Sequence, residues 1–221
     1  DVPEEDEHMP VFGRALLVEV TRGCGHSCKF CLVGHVCRPR RARSLDRLKE
    51  IISQGVSQTP VSKVALIGSS LGDMDGLEEL AEWVVDRGLQ ISAPSLRADS
   101  VSRGLLLTLA RGGQRTLTIA PETGSERLRA AVGKGLSDSD IESAVQAASS
   151  AGLGYVKLYF IIGLPGETEE DVSDIAQLVT RLSTKFPLKY TVSISPFVPK
   201  ANTRFERETQ MTLENIRERL R

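Results

Sequence analysis

Three cysteines fall within eight residues, at Cys24, Cys28 and Cys31, in the run Thr21-Arg22-Gly23-Cys24-Gly25-His26-Ser27-Cys28-Lys29-Phe30-Cys31. Thiolates are soft ligands, and C-x3-C-x2-C gathers three of them from one loop, which suits an iron–sulfur cluster or zinc. Glycines at 23 and 25 let the backbone wrap close to a compact inorganic core. Cysteines this close cannot brace a domain as disulfides, so they read as reduced metal ligands. On a four-iron cube, three ligands leave one iron open, and an open metal site is where chemistry happens. Cys37 offers the competing reading: as a fourth ligand it would close the cluster and make an electron carrier. Its plainer role is a partly buried loop thiol. His26, inside the loop, reads as a surface or supporting residue rather than a ligand.

Such a loop needs a scaffold, and strands alternate with helices along the whole chain. Residues 15–20 (ALLVEV) have the branched apolar character of a buried strand and lead directly into the cysteines. Further strands are expected at Lys63–Ile67, 89–93, 115–120, Tyr155–Ile162 and 190–195. Between them lie helical patterns. One is capped by Ser44, one carries Leu77, Leu80, Ala81, Val84 and Val85, and a short one ends at Gly112-Gly113. Others open at Ser137 with Asp140, at Thr168, and at Thr212. Alternation of this kind implies parallel pairing and right-handed crossovers. Six units form either an open barrel or a doubly wound sheet, and periodicity alone leaves both open. The loops after the strands are rich in Gly, Ser, Pro and charge, which marks that edge as the chemical face.

The 221 residues carry 28 basic and 29 acidic side chains, so no global field favours nucleic acid or an anionic membrane. No apolar run is long enough to span a bilayer and no export signal is present, which points to the cytoplasm. Residues 1–11 read as an extension or linker and 12–221 as one core domain. The start at Asp1 has the look of a piece of a longer protein.

CxxxCxxC after the first strand, with the aromatic Phe30 just before the last cysteine, resembles the signature of the radical S-adenosylmethionine (SAM) superfamily. The resemblance covers roughly residues 12–210. It implies an α/β fold, a partial (β/α)6 TIM-like barrel with parallel strands. It also implies a [4Fe–4S] cluster on Cys24, Cys28 and Cys31, with the amino and carboxylate groups of SAM on the open iron. An electron from the cluster then splits SAM into methionine and a 5′-deoxyadenosyl radical.

The same resemblance places Phe30 near the adenine, and Gly68-Ser69-Ser70 where Ser69 and Ser70 meet the SAM amino group. The usual acidic third position of that motif is missing. In Ala120-Pro121-Glu122-Thr123-Gly124, Glu122 matches the residue that accepts from the ribose hydroxyls, a diol well suited to a carboxylate. Lys134, in Gly133-Lys134-Gly135, matches the cation that binds the SAM carboxylate. In Ile161-Ile162-Gly163-Leu164-Pro165-Gly166-Glu167-Thr168, Gly163 permits close approach to the adenine. Glu167 reads as a helix-start charge, and Glu122 and Lys134 also have structural readings, a helix-start carboxylate and a solvated cation. Tyr159 stands where relatives carry an acidic residue, and Cys37 where members of the cobalamin-associated subgroup usually carry Tyr.

Ser95-Leu96-Arg97-Ala98-Asp99, residues 36–44 and Pro196-Phe197-Val198-Pro199-Lys200 resemble the cobalamin-associated subgroup. That implies a cobalamin domain outside this chain and a methyltransferase as one parent. Two alternatives stand beside it: a methylthiotransferase-like tRNA-modifying enzyme, which needs a second cysteine triad and an RNA-binding domain, and a non-enzymatic iron–sulfur or zinc module. The implied partners are a reductant such as flavodoxin or ferredoxin and a substrate that no motif names. Nucleic acid is not expected for this domain alone. Arg38, Arg40, Arg41 and Arg43 form a basic run that is either simply solvated or steers an anionic substrate or redox donor.

Overall fold

Six parallel strands lie side by side in the order in which the chain makes them. The computed structural model describes residues 13–220, so the expected extension at 1–11 lies outside them. Strand β1 (Leu16–Glu19) runs into the two-residue β2 (Thr21–Arg22), then the cysteine loop and a single helical turn, α1 (Val33–Val36). β3 (Arg41–Ala42) pairs back antiparallel on β2, followed by α2 (Leu45–Gln58), β4 (Lys63–Ile67), α3 (Leu77–Val85) and β5 (Gln90–Ser92). The second half comprises α4 (Arg103–Arg111), β6 (Thr116–Glu122), α5 (Glu126–Ala131), α6 (Asp138–Ser150) and β7 (Tyr155–Ile162). It ends with α7 (Glu169–Lys185), β8 (Lys189–Pro196) and α8 (Leu213–Arg219).

The parallel sheets β1-β4-β5 and β6-β7-β8 are joined by a single bridge between Leu96 and Ile119. Sequential parallel neighbours with right-handed crossovers put their helices on one face. The other face can then be enclosed only by curvature of the sheet itself. A doubly wound sheet would reverse its strand order, and this one does not. Among the described strands β1 and β8 are unpaired with each other, so the barrel is partial. The expected fold class holds.

The two faces differ as the pleat requires. On β7, Val156, Leu158, Phe160 and Ile162 are at most 1% exposed and join the core beneath the helices. Lys157, Tyr159 and Ile161 point to the concave side. Ile161 packs there against a second, smaller core of Cys28, Phe30, Leu128, Val132, Leu164, Phe197 and Phe205. The cysteine loop therefore has its own hydrophobic seat, separate from the core of the barrel.

Ser44, Ser137, Thr168 and Thr212 cap their helices as expected, each accepting a backbone N–H three residues on. Each such cap stabilises by about 1 kcal/mol. Ser102 and Ser125 do the same for α4 and α5. Three features were not legible in the pattern: α1, α5 and the β2–β3 hairpin are all too short to show a period. The fourth long strand also continues past residue 120 to Glu122, through an irregularity that matters to the site.

Candidate functional site

The cysteine loop is pinned from several sides. The Lys29 backbone N–H donates to Val132 O at 2.8 Å, and Phe205 N–H donates to Lys29 O at 3.2 Å. Arg38 spends its guanidinium on the loop and on α1, donating to Gly34 O of α1 at 2.5 Å and to His26 O at 3.0 Å and Gly25 O at 3.3 Å in the loop. His26 Nε2 lies 2.9 Å from Asp73 Oδ2, and Ser70 Oγ donates to the same carboxylate oxygen. Gly23 is required by close approach. It has φ +81, and a Cβ there would stand 2.1 Å from the Cys37 carbonyl oxygen.

One cavity of about 210 Å³ is lined by all three cysteines. Ser69, Ser70, Phe30, Glu122 and Lys134 line the same cavity. Gly163 is not in this lining. Its φ is +80, and the space a side chain would take is occupied by Met211. Cys37 is also outside the lining, at the end of α1. Glu167 accepts from Gly163 N–H at 2.6 Å and pairs with Arg219, so it latches the turn before α7.

Glu122 reaches the cavity through a distortion. The β6–β7 register shifts between Ile119 and Glu122, and Glu122 itself has φ +74. A bulge re-aims the side chain that follows it. Left-handed backbone at a residue with a Cβ costs roughly 1–2 kcal/mol, and such strain gathers at functional sites. Lys134 Nζ donates to Glu122 Oε1 at 3.1 Å, with the two side chains 11% and 15% exposed. Burial pushes the Glu122 carboxyl above its usual range, while Lys134 and the more distant Lys200 pull it back. Burial likewise pushes the Cys28 thiol up, against the attraction of Lys134.

Two arginines that the sequence reading did not single out hold the far wall. Arg97 donates to Asp99 at 2.8 Å and to Lys134 O at 2.9 Å, and its side chain is 12% exposed within the same cavity. Arg129 is fully buried on α5. It donates to Leu136 O at 2.8 Å, Gly124 O at 2.9 Å and Thr123 O at 3.1 Å, and pairs with Asp138. It thereby ties the end of β6 to the Gly133-Lys134-Gly135 turn. No motif flags such a residue, because its partners are backbone carbonyls.

The donor set is the basis for judging what fits. Among the described residues no three His, Cys, Asp or Glu side chains converge where a single ion could be held. Three thiols on the wall of one cavity have the chemistry to hold a polynuclear cluster, in which each sulfur takes a different iron. The ion pair and hydroxyls across the cavity offer a carboxylate for a diol and a cation for a carboxylate.

The description "Radical SAM superfamily" matches residues 18–179 of this chain. An uncharacterized protein of Methanocaldococcus jannaschii is 41% identical over 197 residues, covering 89% of this chain and 44% of that protein. The tRNA-2-methylthio-N(6)-dimethylallyladenosine synthase of Pseudomonas fluorescens is 25% identical over 231 residues, covering 96% and 52%. The chain thus spans about half the length of the curated relatives it matches. Among solved structures, the radical S-adenosylmethionine methyltransferase TsrM of Kitasatospora setae, with cobalamin and a [4Fe–4S] cluster bound, superposes with TM-score 0.72 at 16% identity. That match covers 87% of this chain and 38% of TsrM. Coproporphyrinogen III oxidase of Escherichia coli, itself a radical SAM enzyme, gives TM-score 0.66 at 15% identity, covering 93% and 50%. At these identities the structures speak for the fold, and the family match covers most of the chain. The chain belongs to the radical SAM superfamily, whose cofactors are a [4Fe–4S] cluster and SAM.

Proposed function

We propose that this chain is the SAM-cleaving core of a radical SAM enzyme, with the cluster on Cys24, Cys28 and Cys31. The observation that carries this reading is the buried Glu122–Lys134 pair in the same cavity as the three cysteines. When bound, the cluster and SAM supply a one-electron reductive cleavage that generates a primary carbon radical. The protein's residues bind, orient and shield. Lys134 and Arg97 would neutralise the SAM carboxylate, and Glu122 would accept from the ribose diol. Ser69 and Ser70 would offer oxygens to the amino group, and Phe30 would flank the adenine. The second hydrophobic core keeps water away from the side of Cys28 and Phe30.

For the parent protein, the fold likeness to TsrM supports a cobalamin-dependent methyl-transferring enzyme whose cobalamin is held outside this chain. A second reading, a tRNA methylthiotransferase, is favoured by the sequence match over 96% of the chain. That reading calls for a second cysteine triad, which would lie outside this chain.

Anaerobic reconstitution with iron and sulfide, followed by electron paramagnetic resonance after reduction, tests the core proposal. A signal that shifts on adding SAM, with 5′-deoxyadenosine found by mass spectrometry, is the expected result. A signal indifferent to SAM overturns it and favours an electron carrier.

A further inference from the structure

Charge is distributed unevenly around the cysteine loop. From Val20 to Leu45 the chain carries six cations and no carboxylate, which leaves 22 basic against 29 acidic residues elsewhere. Four of the six, Arg22, Arg40, Arg41 and Arg43, belong to or flank the β2–β3 hairpin. There Arg22 stands directly opposite Arg41, although like charges facing each other across an antiparallel pair destabilise it. Glu19 relieves part of this, at 2.7 Å from Arg22 and 3.8 Å from Arg43. Arg40 has no such relief: its Nε and Nη2 are buried without a hydrogen-bond partner. A cavity of about 330 Å³ opens between the arginines of the hairpin. The hairpin is anchored to the metal loop, because Cys37 O and Arg40 Cα press against Gly23, the residue before Cys24.

We propose that this hairpin is the docking surface for a small acidic protein that delivers one electron to the cluster. The proposal rests on the reading that Cys24, Cys28 and Cys31 hold that cluster. Charge complementarity selects the partner's sign, and the position beside Cys24 selects its role. A polyanion such as RNA would have to extend beyond the hairpin onto the rest of the chain, where acidic residues outnumber basic ones, whereas a compact acidic patch meets only the hairpin. In the docked pair one electron leaves a donor such as a flavin hydroquinone, which becomes the semiquinone. The same electron takes the cluster from the 2+ to the 1+ state.

Reduced flavodoxin of strongly acidic net charge is the probe, used with the reconstituted full chain. Its affinity is measured by calorimetry at low and moderate salt, and cluster reduction is followed by paramagnetic resonance. Arg41→Glu with Arg43→Glu should weaken flavodoxin binding about tenfold or more and flatten its salt dependence, since charges at an interface rim govern encounter. Arg41→Gln, a milder change, should show part of the loss. Arg115→Glu, at the opposite end of the strands, should bind as the parent does. Dithionite should reduce the cluster equally in all variants; if it reduces none, including the parent, the cluster reading itself fails. Flavodoxin binding unchanged by the double variant overturns the docking proposal. So does a double variant that loses binding of a transfer RNA but not of flavodoxin.

Discussion

Lys134 donates a 3.1 Å hydrogen bond to Glu122 across twelve residues of chain, and both groups are nearly closed to solvent. Neither side chain could take this position alone. Glu122 is turned by a bulge and a left-handed backbone, and Lys134 is presented by a turn whose backbone hangs on Arg129. Glu122→Gln and Lys134→Met should each weaken SAM binding by about tenfold or more, about 1.4 kcal/mol. Titration of the SAM-induced change in the reduced spectrum checks it. The pair also has a pH signature. Burial raises the Glu122 carboxyl above its unfolded value, so its favourable contribution is present at acid pH and is lost as pH rises through the folded value. Relative to the parent, Glu122→Gln should therefore gain stability as pH rises, measured by denaturant titration.

Changing Cys24, Cys28 or Cys31 to Ala should abolish reconstitution, seen as loss of bound iron and sulfide. Cys37→Ala should retain both, because Cys37 lies at the end of α1 outside the cavity wall. Loss of the cluster in that variant would make Cys37 a fourth ligand and close the site.

Arg129→Met should destabilise the fold by roughly 3–5 kcal/mol, since it strips a fully buried cation's partners of their donor and leaves three carbonyls unpaired. Chemical denaturation measures this. At concentrations of SAM and denaturant where the variant remains folded, SAM affinity should also fall, because the Lys134 turn loses its anchor.

Asp171 works against its own burial: bonds from Ser125, Thr168 and Arg127 hold its carboxyl down to about 2. The stability it contributes is present above the unfolded value of 3.8 and disappears as pH falls through about 2. Asp171→Asn should cost on the order of 1–3 kcal/mol at neutral pH. The difference from the parent should shrink between pH 4 and 2, measured by thermal unfolding across that range.

The rhythm of strands and helices was legible because it is written locally. Alternation of Val156, Leu158, Phe160 and Ile162 along β7, or Ser137 with Asp140 at the start of α6, depends on near neighbours and on the geometry of one element. The same holds for the cysteine spacing, which gathers its ligands on a single loop. The β2–β3 hairpin, α1 and α5 escaped because one pair or one turn carries no period.

What the sequence determined by itself was the alternating α/β order, most of the helix caps, and the three-thiol loop at a strand end with its family resemblance. Only the tertiary structure decided between barrel and open sheet, because strand order follows from crossovers and twist rather than from any window of residues. It also brought Glu122 and Lys134 together with Arg97, left Gly163 out of that wall, and set the arginine hairpin beside Cys24. Those meetings depend on a bulge, a buried guanidinium and close backbone approaches, all non-local contacts that a chain acquires only on folding.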